Sequence, residues 1–182
     1  KGPRMSRLET ALAAIDAANA LDPDTSEGAP AAALYGTRMS AELDRLFPGA
    51  PDVLRIAARG QHIERWTSPR AAYPEGREGY LAWRRDLGAF HARRVGEIMR
   101  DAGYGGDEAD RAGTLLRKEG IKRDPEVQML EDVICFVFLR WYFHPFAEGR
   151  DPAGLLRIVE KTARKMSAAA RERALREFDL PE

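Results

Sequence analysis

The sequence predicts an all-α fold, a single compact helical domain, on three observations. Apolar residues recur at helical spacing through nearly the whole chain, clusters of Gly, Pro and Asp interrupt that spacing, and no stretch sustains the period-two alternation of a strand. At 182 residues the chain is long enough for one sizeable core and short for two. The domain is placed at 5–182, because Lys1-Gly2-Pro3-Arg4 ahead of Met5 reads as an appended remnant.

The first helix carries Leu8, Leu12, Ile15 and Ala18 on one face and stops at Asp22-Pro23, where a loop runs to Pro30. A second helix spans about Ala31 to Leu46 and is closed by Phe47-Pro48-Gly49. A third starts at Pro51-Asp52 and is expected to reach about Trp66. The segment Thr67 to Arg77 holds two prolines and a glycine, so it cannot be one continuous helix. A long helix follows from about Glu78 to Ala102, ended by Gly103, and another runs from Asp107 to Glu119, ended by Gly120. Asp124-Pro125 supplies an N-cap and a first-turn proline for a helix expected to extend to Tyr142 or beyond. From Val133 onward that helix is apolar nearly all round, which marks it as the buried spine of the core. Two amphipathic helices, Pro152–Lys165 and Ser167–Phe178, finish the chain, with Ser167 as an N-cap.

Composition bounds the function. The 29 Lys and Arg balance 29 Asp and Glu, so the global basicity that advertises a nucleic-acid protein is missing, although a local patch is still compatible with nucleic acid. The one cysteine, Cys135, lies in an apolar run and cannot found a disulfide framework, which fits a reducing, cytoplasmic setting. The first apolar stretch contains Glu9 and Asp16 and lacks a signal-peptide profile, and no run is long enough to span a membrane. There is no P-loop, dinucleotide fingerprint or paired-cysteine zinc site.

Four groups of residues could carry chemistry. Arg55, Arg59, His62 and Trp66 would share one stripe of the third helix, with His62 either a ligand or a hydrogen-bonded edge residue. His91 stands on the long helix beside Phe90. Gln128 lies three and four residues before Glu131 and Asp132, and two carboxylates at the entrance to a buried helix need a metal or an organic cation to compensate them. Finally, all nine cations from Arg55 to Arg94 are arginine, against the acids Glu64, Glu75, Glu78 and Asp86. Arginine suits bidentate contacts to phosphate, and Trp66, Tyr73, Tyr80 and Trp83 could stack on a base.

The runs Gln61-His62-Ile63-Glu64-Arg65-Trp66, Ser68-Pro69-Arg70, Gly79-Tyr80-Leu81-Ala82-Trp83-Arg84, Asp124-Pro125-Glu126-Val127-Gln128 and Leu130-Glu131-Asp132-Val133 resemble the bacterial and fungal family called domain of unknown function 4202. The resemblance covers nearly the whole chain and implies no particular activity. More distantly, the order of elements is similar to the HD phosphohydrolases, helical bundles built round a divalent metal. That likeness implies an HD-like bundle in which His62 or His91 stands for the first histidine and Asp132 for the last aspartate. No His-Asp dipeptide is present, and in one register Arg117-Lys118 falls in its place.

Two functional expectations follow. In the first, His62, His91, Glu131 and Asp132 hold Mn, Fe, Ni or Zn, and the protein hydrolyses a nucleotide or other phosphate ester. Glu131, Asp132 and Lys118 then serve catalysis, and Arg59, Arg65, Arg70, Arg77 and Arg84 bind the phosphate. Trp66, Tyr73, Tyr80 and Gln128 would complete the substrate contacts. In the second, Lys118 neutralises the carboxylates without a metal, and the arginine–aromatic patch binds a small phosphate-bearing ligand, nucleic acid or a protein.

Overall fold

The computed structural model describes residues 2–180, and among these there is no strand. The helices follow in the order α1 (Arg7–Asn19), α2 (Ala31–Leu46), α3 (Asp52–Arg59), α4 (Arg77–Asp101), α5 (Gly106–Leu116), α6 (Pro125–Val137), α7 (Phe143–Ala147), α8 (Pro152–Lys165) and α9 (Ala168–Glu177). Their starts are chemically marked. Ser6 accepts from the Glu9 N–H while Glu9 accepts from the Ser6 N–H, a closed capping box. Asp124 accepts from the N–H groups of Glu126 and Val127, and Ser167 accepts from that of Ala170.

Helix α6 joins two apolar clusters. Val127, Leu130, Val133 and Val137 pack into the larger one, with residues of α1 to α5 such as Ile15, Met39, Leu54, Val95 and Leu115. Cys135, Phe136 and Leu139 pack into the smaller one, with Met166, Ala170 and Ala174 around α9. Helices α4 and α5 run along one another, and α1 and α3 close on them. Among the described residues no helix is long and apolar enough to cross a membrane.

Two elements differ from expectation. The third helix ends at Arg59 rather than near Trp66, and residues 60–64 form turns before a short 3₁₀ turn at Arg65–Thr67. Gly60 is the C-cap and is closely packed, since a Cβ there would lie 2.6 Å from Val95 Cγ2. Glu64 then turns left-handed (φ 52°), its N–H donating to Asn19 Oδ1 at 3.1 Å and its carboxylate accepting from Arg94. Arg55, Arg59, His62 and Trp66 therefore do not share a helical stripe. The spine helix also changes pitch, through a π turn at Phe138–Tyr142 leading into α7.

The segment from Thr67 to Arg77 is a braced connector. The Arg70 guanidinium donates to the carbonyls of Tyr73, Pro74 and Gly76, the Tyr73 hydroxyl donates to Asp86 at 2.7 Å, and Trp83 Nε1 donates to the Ser68 carbonyl at 2.8 Å. Gly79 is where this segment presses on α4, for an added Cβ would sit 1.8 Å from the Pro74 carbonyl oxygen. Gly79→Ala is therefore expected to push the connector outward and to lower stability by ~1–3 kcal/mol, the usual range for overpacking. Chemical denaturation measures the loss, and an unchanged midpoint would refute the close approach.

Candidate functional site

Leaving the helix puts His62 in front of α2. Its ring stacks on Tyr35 with centroids 3.6 Å apart and planes 9° from parallel. Arg65 Nη1 lies 2.6 Å from His62 Nε2, which makes that nitrogen the acceptor and the imidazole neutral. The Arg65 guanidinium also lies over the Trp83 ring at 5.0 Å. Burial, then the charges of Arg65, His91 and Arg84, hold the His62 pKa well below the ordinary histidine value.

Lys118 reaches the same place from the turn after α5. It is left-handed (φ 57°), and with Glu64 it makes up the non-glycine residues of positive φ among those described. Such a backbone costs on the order of 1 kcal/mol for an ordinary side chain and persists only where its surroundings enforce it. Lys118 Nζ stands 3.3 Å from Glu131 Oε2, close enough for an ion pair but outside hydrogen-bond alignment, so that oxygen keeps no hydrogen-bond partner. Burial lowers the Lys118 pKa and Glu131 opposes the shift.

These groups form the wall between two cavities. One, of about 680 Å³, opens between α2, α4, α6 and α8 and is lined by Tyr35, Trp66, Tyr80, Trp83, Glu131 and Lys161 among others. A second, of about 410 Å³, lies between α4 and the α5–α6 turn and is reached by Gln61, Arg85, His91 and Arg117. His62, Arg65, Arg84 and Lys118 line both. Arg65 and Arg84 have no carboxylate partner among the described residues, whereas Arg59, Arg94, Arg111 and Arg140 are all ion-paired. Burial first and then Arg84 push the Arg65 pKa down, the mark of cations held together without compensation. Among the described residues the buried side-chain atoms without a partner are Gln61 Oε1, His91 Nε2 and Glu131 Oε2, and all three residues line these cavities.

The family described as Domain of unknown function (DUF4202) matches residues 9–182. The chain belongs to this family. No curated protein and no solved structure matches it. None of these comparisons shows a likeness of this DUF4202 chain to the HD phosphohydrolases.

Of the residues expected at the site, the cavities gather His62, His91, Arg65, Trp66, Tyr80, Arg84, Lys118 and Glu131. The others serve elsewhere. Asp132 accepts from the Ser167 N–H at 2.8 Å, from the Ser167 hydroxyl at 2.7 Å and from Gln128 Nε2 at 3.0 Å, and Gln128 donates also to the Lys165 carbonyl. These bonds fasten α6 to the junction of α8 and α9. Arg59 makes a bidentate pair with Asp16 that ties α3 to α1. Arg70 and Tyr73 brace the connector, and Arg77 is exposed at the start of α4.

Among the described residues no three His, Cys, Asp or Glu side chains form a group able to hold a metal ion. The donors themselves fit a metal poorly: Asp132 is committed to Ser167, His62 accepts from Arg65, and Glu131 faces Lys118. Cations already stand where a divalent ion would need room.

Sequence reasoning missed Tyr35, Gln61, Lys161 and Lys165 as cavity residues. Lys161 and Lys165 were detectable as an i, i+4 pair flanked by Ile158 and Thr162 on an amphipathic helix. Tyr35 and Gln61 carried no signal, since their roles depend on where the α3 turn goes.

Asp132→Ala is expected to cost ~2–4 kcal/mol, because it strands the Ser167 N–H and hydroxyl beside a buried helix. The loss should be the same with and without a chelator. A wild-type melting temperature that drops on chelation, matched by an insensitive variant, would restore a metal role.

His91 gives a pH prediction. Burial, then Arg65, Arg84 and Lys118, bring its pKa down to about 3, whereas the unfolded chain's histidine titrates near ~6.5. Below that value the unfolded state binds a proton that the native state refuses. Stability is therefore full above pH ~6.5 and falls toward acid by about 1.4 kcal/mol per pH unit for each such site. Melting temperatures between pH 6.5 and 5 should decline less steeply for His91→Gln than for wild type, and equal slopes would contradict the assignment.

Proposed function

We propose that this protein is a metal-free receptor for a small organic phosphate that carries a planar ring. The observation that carries the reading is the convergence of Arg65, Arg84 and Lys118 on one wall, with Glu131 the one carboxylate beside them and no carboxylate on either arginine among the described residues. Folding has brought like charges together and partly desolvated them, which is unfavourable for the free protein. An entering phosphate reverses the sign of that interaction, and arginine forks suit its oxygens.

The larger cavity supports the rest of the ligand. At about 680 Å³ it falls within the ordinary range for small-molecule pockets, and Trp66, Tyr80 and Trp83 offer ring faces. Cys135 in its wall is no nucleophile, because burial pushes the thiol up to about 12. Hydrolysis would require a group to activate water, and the carboxylate at the wall, Glu131, is instead held by Lys118 at 3.3 Å. Binding accounts for more of the site than turnover does.

Arg84→Gln separates function from folding. Removing an uncompensated cation should leave the melting temperature of the free protein unchanged or raised. The same substitution should weaken adenosine or guanosine 5′-monophosphate, used as ring-bearing probes, by about tenfold or more in calorimetry, and wild-type affinity should fall with added salt. Absence of saturable binding by either probe, or equal binding to Arg84→Gln, would overturn the proposal.

A further inference from the structure

Resting on the receptor reading above, the two cavities can be given different halves of the ligand. We infer that the smaller cavity behind His62 is a phosphate chamber for a phosphomonoester, and that the ring of the same molecule lies across the shared wall in the aromatic cavity.

Charge separates the two spaces. The smaller cavity collects Arg65, Arg84, Arg85, Arg117 and Lys118. Arg117 is bound to Glu119 at 2.6 Å, Arg85 stands 3.6 Å from Asp86 and Lys118 3.3 Å from Glu131, which leaves Arg65 and Arg84 without a carboxylate among the described residues. The larger cavity shares three of those cations and adds Lys161 and Lys165, but it also has Asp22, Asp24, Glu27 and Glu131 in its walls. A dianion is drawn to the side where positive charge is not offset.

The unpartnered atoms give the second, independent observation. Gln61 is 6 % exposed and His91 is 4 % exposed; both residues line the smaller cavity, and each keeps one buried polar atom, Oε1 and Nε2, with no protein partner. A buried polar atom without a partner costs free energy that the fold keeps only where something else completes it. A neutral imidazole carries one N–H, at Nε2 in one of its tautomers, and a half-turn of the Gln61 amide exchanges its oxygen for an NH₂. Both groups can therefore donate to phosphate oxygens, in company with the guanidinium forks of Arg65 and Arg84. Lys118, on its left-handed backbone, lines both cavities, with its ammonium 3.3 Å from Glu131.

The alternative places the phosphate at Lys161 and Lys165 on α8. Those lysines are exposed, and the acids of their cavity stand close by. They suit the rim of the site better than its anion-binding end.

The test uses the full chain, inorganic phosphate as one probe and adenosine as the other, with NMR of the Gln61 amide, the His91 imidazole and the Trp83 indole N–H. Phosphate should shift Gln61 and His91 saturably, and adenosine should shift Trp83 without competing. The surface double variant R85Q/R117Q should weaken phosphate by about tenfold or more, and K161Q/K165Q should leave it within about twofold. The reverse pattern would overturn this inference while sparing the receptor reading, since the phosphate would then sit in the aromatic cavity. Failure of phosphate, adenosine and the nucleoside monophosphates alike would remove both.

Discussion

Helix α6 is apolar around most of its circumference, and each side is claimed by a different cluster. Val127, Leu130, Val133 and Val137 face the core built by α1 to α5, and Cys135, Phe136 and Leu139 face the smaller one around α9. Everything polar on this helix is thereby forced to a boundary. Adjacent residues on a helix point about 100° apart, and here Glu131 and Asp132 are drawn to different neighbours. Asp132 faces the α8–α9 junction and is consumed by Ser167, and Glu131 faces the cavity and meets Lys118. A dipeptide that reads as a catalytic pair is in this fold one fastener and one site residue.

The electrostatics of the cavity wall follow from that division. With Asp132 turned away, Glu131 is the carboxylate of this helix that meets the cations of the wall, through Lys118. The protein relieves the excess by keeping its imidazoles uncharged, His62 by accepting from Arg65 and His91 by burial among the same cations. Relief is incomplete, as the lowered pKa of Arg65 records. Elsewhere the chain pairs its arginines closely: Glu42 takes Arg45 and Arg140, and Arg111 takes Asp124 and Glu126. Arg65 and Arg84 differ from these in lining a cavity without a carboxylate partner among the described residues.

The helices were legible because caps and periodicity are local. Ser6, Asp124 and Ser167 announce their helices through their own side chains, and the apolar run after Val133 announces the spine. The site was legible only in composition. The all-arginine bias from Arg55 to Arg94 includes two cavity-lining residues, but it could not distinguish Arg65 and Arg84, which line the cavities, from Arg59 and Arg70, which hold the fold together. That distinction depends on partners far along the chain, such as Asp16 for Arg59. The expected stripe from Arg55 to Trp66 failed for a related reason. Helical spacing continues through Gly60 in sequence, but the helix stops there, at a glycine packed against Val95.

Fixed cations and a bound metal solve the problem of a phosphate differently. A divalent ion attracts phosphate and also activates water, because it exchanges ligands and lowers the pKa of what it binds. Arginine and lysine supply attraction and geometry without that second property. In this chain the position of Arg117-Lys118 after α5 brings charge to the cavity wall on a strained turn, and Glu131 meets it there as an ion-pair partner. Under the receptor reading proposed above, a site so composed favours recognition over activation. Its selectivity would come from where the cations stand relative to the aromatic rings, which is set by the turn after α3 and by the two-sided burial of α6.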